Sequence, residues 1–97
     1  MVSTAMVTGA SSGIGREMAK CLASKGHDLI LVARREELLR ELAESLVVEH
    51  GCKADVVVAD LANPSQVSMI KEMVEDVDVL VNNAGYGKWG LLTEQDE

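Results

Sequence analysis

Apolar positions along the 97 residues follow two alternating periods. Short unbroken apolar runs mark strands, and longer stretches with apolar residues three and four apart mark helices. Thr4–Thr8, "TAMVT", reads as a short buried strand. Gly13–Lys25 reads as a helix, with Ile14, Met18 and Leu22 stacked on one face and Ala19 and Ala23 beside them. Gly26 follows as its cap, because glycine takes the left-handed conformation without a Cβ penalty. Asp28–Ala33, "DLILVA", is a continuous apolar run suited to a central parallel strand covered on both faces. Arg35–His50 is the longest helix, with Leu38, Leu42 and Leu46 as its stripe, Glu36 and Glu37 in its first turn, and Gly51 at its end. Ala54–Ala59, "ADVVVA", is a third strand.

Asn63–Pro64 then opens a third helix. Asn caps, Pro at the first helical position loses no needed donor, and Gln66 falls at the capping-box position. Val67, Ile70 and Val74 carry that helix inward, and Asp78–Val81, "DVLV", is a fourth strand. The tail "YGKWGLLTEQDE" has no clear period. Strands alternating with helices give a parallel sheet with right-handed crossovers. The expected architecture is α/β, with four parallel strands in spatial order 3-2-1-4 and three crossover helices: the first half of a doubly wound fold.

Composition narrows the setting. With no Phe, one Trp and one Tyr in an apolar fraction of 47%, the core is aliphatic. A net charge of −7 excludes a general nucleic-acid or anionic-membrane binder, which carries a basic footprint. Apolar runs such as Leu29–Ala33 are far shorter than the roughly 20 residues of a membrane span, and no signal peptide is evident, so a soluble cytoplasmic protein is expected. Cys21 and Cys52 lie 31 positions apart with no Cys/His cluster, which points to reduced thiols and no metal site. His27 and His50 stand alone near helix ends.

The chemistry concentrates in "VTGASSGIGRE", residues 7–17. Three glycines and two serines fall between the first strand and the first helix. There the free N–H groups and the positive end of the helix dipole face the sheet edge, as a phosphate or pyrophosphate requires. The spacing Gly9-x-x-x-Gly13-x-Gly15 differs from the common dinucleotide fingerprint and lacks the Lys of a P-loop. A dinucleotide site is completed about 20 residues further on, where an acid would bond the ribose 2′-hydroxyl of NAD. This chain has Arg34, 19 positions after Gly15, followed by Arg35. A guanidinium holds a 2′-phosphate, so NADP is favoured over NAD.

"TGASSGIG" at 8–15, "ADL" at 59–61 and "NNAG" at 82–85 together resemble the short-chain dehydrogenase/reductase family over essentially the whole chain. The resemblance implies a Rossmann fold and a nicotinamide dinucleotide cofactor. It assigns Gly9, Ser11, Ser12, Gly13, Ile14 and Gly15 to the cofactor phosphates, and Arg34 to the 2′-phosphate. Asp60 and Leu61 would meet the adenine, with the Asp60 side chain near its amino group. Asn83, Ala84 and Gly85 would lie against the adenosine ribose side. The family's catalytic Ser, Asn and Tyr-x-x-x-Lys have no counterpart in the 97 residues, since Tyr86 is followed four residues later by Gly90.

The chain therefore reads as a cofactor-binding half-domain with no catalytic residues of its own: a truncated product, a fragment or a short relative. Two function classes follow. One is the cofactor-binding part of an NADP-preferring oxidoreductase that moves hydride to or from a carbonyl or alcohol. The alternative is a non-catalytic nucleotide-binding or self-associating module. An open edge at the fourth strand, and a bare sheet face beside the third helix, are expected to drive a homodimer or higher oligomer.

Overall fold

The computed structural model describes residues 3–11 and 13–82. Seven elements follow one another: β1 (Thr4–Thr8), α1 (Gly13–Ser24), β2 (Asp28–Ala33), α2 (Glu36–His50), β3 (Ala54–Val58), α3 (Pro64–Val74) and β4 (Val79–Asn82). The four strands form one parallel sheet in the order β3-β2-β1-β4, the order expected from the alternating pattern.

The two-residue period of the strands divides the core in two. Ala5, Val7, Leu29, Leu31 and Ala33 face α1 and α2, where they meet Ala19, Ala23, Leu39, Leu42 and Leu46. Met6, Val32 and Leu80 point to the opposite face and pack with Ile70 and Val74 of α3. β1 and β2 lie in the middle and are the most completely buried strands, as their continuous apolar runs require.

The helix faces depart from the sequence reading. On α1 the buried residues are Gly15, Ala19 and Ala23, while Ile14 is 71% exposed and Met18 39% exposed. Small side chains let a helix axis approach a sheet closely, and here i, i+4, i+8 smallness outweighs the bulkier stripe. On α2 the stripe is Leu39, Leu42, Ala43 and Leu46; Leu38 faces outward. Spacing alone cannot separate Leu38 from Leu39, since both fall within a turn of Leu42.

Helix ends follow local chemistry. α1 stops at Ser24 because Gly26, at φ +95°, allows the Gly26 N–H to donate to Ala23 C=O and the His27 N–H to Leu22 C=O. Gly51, at φ +70°, ends α2 the same way, its N–H donating to Val47 C=O. Asn63 caps α3 through Oδ1, which accepts from Ser65 N–H at 2.9 Å. α2 starts on Arg35 with no side-chain cap, one residue later than the sequence suggests.

At the N-terminal edge of the sheet two carboxylates join neighbouring strands. Asp78 Oδ2 accepts from Thr4 N–H at 2.8 Å, and Asp28 Oδ1 accepts from Lys53 N–H at 3.0 Å. Ser3 Oγ bonds His27 Nδ1 at the same edge, which gives that histidine a structural role. Cys52 is buried just before β3; burial, with the Asp28 charge adding to it, pushes its thiol pKa up.

The α1 face gives a direct test. Ala19→Leu is expected to cost about 1–3 kcal/mol through overpacking against the sheet. Ile14→Ala is expected to change stability by less than about 0.5 kcal/mol, being outside the core. Urea unfolding of the two variants checks both.

Candidate functional site

All four strands run the same way, so their C-terminal ends share one edge, and the loops that follow them meet there. Hydrogen bonds between loops fix how they meet. The Ala10 N–H donates to Val32 C=O at 3.2 Å, tying the glycine turn after β1 to the tip of β2. The Ala59 N–H donates to Ala33 C=O at 3.0 Å, tying the turn after β3 to the other side of that tip. Thr8, fully buried, donates from Oγ1 to Val81 C=O at 3.4 Å and joins β1 to β4. Arg34 follows Ala33 directly, so it emerges with the glycine turn on one side and Asp60 on the other.

The glycine turn has two distinct kinds of glycine. Gly9 holds φ +66°, a left-handed conformation that glycine adopts without steric cost. Gly13 is different: it is the first residue of α1, its φ is not positive, and among the described residues a Cβ built on it would meet nothing within 4 Å. Neither the backbone conformation nor the described neighbours require glycine there. Among the described residues nothing occupies the space in front of it, which is what close approach of a phosphate to backbone N–H groups requires. Gly15 is buried against the sheet, and Ser11 is half-buried in the turn. Ile14 stands exposed at the mouth.

Arg34 is exposed. Among the described residues neither Arg34 nor Arg35 forms an ion pair, whereas Arg40 is held by Glu36 at 2.6 Å within α2. Arg35 occupies the N-cap of α2, where Ser, Thr, Asp or Asn would supply an acceptor. Asp60 is half-buried, and its Oδ1 accepts from Ala62 N–H at 2.9 Å. Leu61 is 8% exposed and packs in the core under α3, so it anchors the turn that carries Asp60.

Gly9, Ser11, Arg34, Asp60 and Leu61 thus fall on three turns of one edge, arranged around the tip of β2, with Gly13, Ile14 and Gly15 in the first turn of α1 beside them. Ser12, Asn83, Ala84 and Gly85 lie outside the described residues. One contributor was misread from sequence. Gln66 does not bond the Asn63 N–H as a capping box would; its Oε1 accepts from the Asp60 N–H instead. The Asn63 N–H is already donated to Asp60 C=O at 3.0 Å, which leaves Gln66 to reach further back.

A separate groove of about 530 Å³ runs between α2 and β3, lined by Arg40, Glu44, Val47, Val48, Asp55 and Val56 among others. It lies on the face of the sheet that carries α1 and α2, at the β3 edge. Among the described residues no group of three His, Cys, Asp or Glu side chains is placed to hold a metal, and no helix is long and apolar enough to cross a membrane.

The short chain dehydrogenase family model matches residues 3–97. Similar proteins include the uncharacterized oxidoreductase YmfI of Bacillus subtilis, 36% identical over 98 residues that cover 99% of this chain and 40% of that protein. Among solved structures, the short-chain dehydrogenase from Sphingobium yanoikuyae in complex with NADPH matches with a TM-score of 0.83 at 38% identity. That match covers 92% of this chain and 36% of the other. The L-sorbose reductase from Gluconobacter frateurii, complexed with NADPH and L-sorbose, matches with a TM-score of 0.79 at 40% identity, over 90% of this chain and 35% of the other. The chain therefore spans two fifths or less of the length of these relatives. Strand order, glycine turn and sequence match all agree that it belongs to the short-chain dehydrogenase/reductase family.

Proposed function

We propose that this chain is the cofactor-binding portion of an NADP-preferring oxidoreductase, acting on a carbonyl or alcohol. The observation that carries the reading is the pair of hydrogen bonds flanking the tip of β2, Ala10 N–H to Val32 C=O and Ala59 N–H to Ala33 C=O. They collect phosphate-type donors, a guanidinium and a carboxylate along one edge, which is the donor and acceptor set of a phosphorylated adenosine.

In this reading Gly9, Ser11, Ser12, Gly13, Ile14 and Gly15 line the pyrophosphate. Their contribution is backbone N–H groups at the positive end of α1. Arg34 takes the 2′-phosphate through a charge-assisted contact. Asp60 accepts from the adenine amino group, and the turn held by Leu61 fixes its position. Asn83, Ala84 and Gly85 flank the ribose side. When bound, the nicotinamide supplies hydride exchange with a carbonyl or alcohol. The residues named here orient the adenosine end and exchange no proton with substrate. The 97 residues alone are expected to bind nucleotide without turnover. Two relatives described with NADPH support the nucleotide assignment by similarity.

The second reading, a self-associating module, draws on the sheet edge at β4 and on α3, where Met69 is 43% exposed. Burial of such apolar surface favours a homodimer or higher oligomer. Light scattering at micromolar concentration is expected to return a multiple of the 10.4 kDa chain mass. A monomer mass would reject self-association and leave the nucleotide reading untouched.

Two substitutions test the nucleotide reading. Arg34→Asp is expected to weaken NADPH binding by about 1–3 kcal/mol and leave NADH binding nearly unchanged, as measured by fluorescence titration. Equal loss for both nucleotides, or none for either, would remove Arg34 from the site. Gly13→Ala separates stability from binding. Its backbone conformation suits alanine, so thermal or urea unfolding is expected to show a gain of about 0.4–1 kcal/mol. NADPH affinity is expected to fall in the same variant, because the added methyl group stands in the open space before the helix.

A further inference from the structure

We propose that Gln66 is a positioning residue for base recognition, acting through Asp60; the inference rests on the nucleotide reading above. The turn from Ala59 to Gln66 closes on itself through consecutive hydrogen bonds. The Ala59 N–H donates to Ala33 C=O at 3.0 Å, the Asn63 N–H to Asp60 C=O at 3.0 Å, and the Ala62 N–H to Asp60 Oδ1 at 2.9 Å. The Gln66 N–H donates to Asn63 C=O at 3.0 Å, and the Gln66 side chain returns across the turn, its Oε1 accepting from the Asp60 N–H.

The result for Asp60 is a full accounting of its polar atoms. Its N–H is held by Gln66, its C=O by Asn63 and its Oδ1 by Ala62. Among the described residues its Oδ2 makes no hydrogen bond. One carboxylate oxygen is therefore presented at the binding edge with the rest of the residue fixed. A carboxylate oxygen accepts and cannot donate, so it favours a 6-amino purine over a 6-oxo purine, whose oxygen would face it as a second acceptor.

Gln66 is the part of this arrangement that comes from α3. It is half-buried, in the first turn of the helix, where no ligand contact is assigned to it. Removing its oxygen leaves the half-buried Asp60 N–H without a partner, and that loss is relieved by rotating the turn. The carboxylate would move with it. Base selectivity then depends on a residue that does not touch the base.

The test compares NADPH with its hypoxanthine analogue, in which the 6-amino group is replaced by an oxo group, using the full chain and fluorescence titration. The unmodified chain is expected to prefer NADPH by about tenfold, the size of one charge-assisted hydrogen bond. Gln66→Met, similar in volume but without the acceptor, is expected to reduce that preference to about twofold or less. Its preference for NADPH over NADH, set at Arg34, should stay. Gln66→Glu is expected to restore the base preference, since a carboxylate accepts the same N–H. Full base preference in Gln66→Met would overturn the proposal and leave the cofactor site standing. Binding of NADPH without base preference in the unmodified chain would overturn it too, while failure to bind either nucleotide would bring down the cofactor reading first. If Gln66→Met does not fold, amide exchange in the unmodified chain decides: an Asp60 N–H protected above its exposed neighbours supports the proposal, and exchange at the rate of an open loop overturns it.

Discussion

The hydrogen bond from Ala59 N–H to Ala33 C=O carries the β2–β3 ladder one residue past the end of β3. Everything at the candidate site depends on this kind of continuation. Parallel strands deliver their loops to one edge, but delivery alone leaves each loop free to splay. Here β2 accepts from both neighbours at successive carbonyls, Val32 from the glycine turn and Ala33 from the Asp60 turn. A cation, a carboxylate and a helix N-terminus are thereby held in fixed relation by backbone groups, which do not vary with side-chain identity.

The same edge also shows where local preference is set aside. Gly13 sits in a backbone conformation open to any residue, and none of the described residues fills the place of its side chain. Arg35 occupies an N-cap that Ser or Asp would fill better. Each departure gives up roughly 0.5–1 kcal/mol that a stability-driven sequence would keep. Both occur within one residue of the proposed phosphate contacts. Elsewhere the chain follows its local rules, with Gly26 and Gly51 in left-handed caps and Asn63 at a satisfied N-cap. Such concentration of exceptions at one edge is the pattern of a functional site.

Much of this was legible in the sequence because the signals were redundant. The strand order follows from alternating periods with short connections, and the glycine turn, Arg34 and Asp60 stand where strands end. What escaped was whatever depends on three-dimensional competition. The α1 face was misjudged because hydrophobicity points to Ile14 and Met18, whereas distance to the sheet selects Gly15, Ala19 and Ala23. Leu38 and Leu39 are neighbours in sequence, and only the direction from which β2 and β3 approach α2 decides between them. Gln66 fitted a capping box at its spacing. Its actual partner depended on Asn63 N–H having been claimed by Asp60, a fact about the turn and not about the motif.

The geometry also separates recognition from chemistry. The residues gathered at this edge include backbone donors, a guanidinium and a carboxylate engaged in its own turn. None of these is arranged to pass a proton to a reacting carbon or oxygen. They are suited to holding the end of a dinucleotide remote from its reactive ring. In the proposed reading, binding energy drawn from the phosphates and the base would orient a distant centre, so small errors in the placement of Asp60 or Arg34 would reach the reaction only as errors of position. The rigid turn from Ala59 to Gln66 is the structural answer to that requirement. It holds Asp60 by three hydrogen bonds, at its N–H, its C=O and its Oδ1.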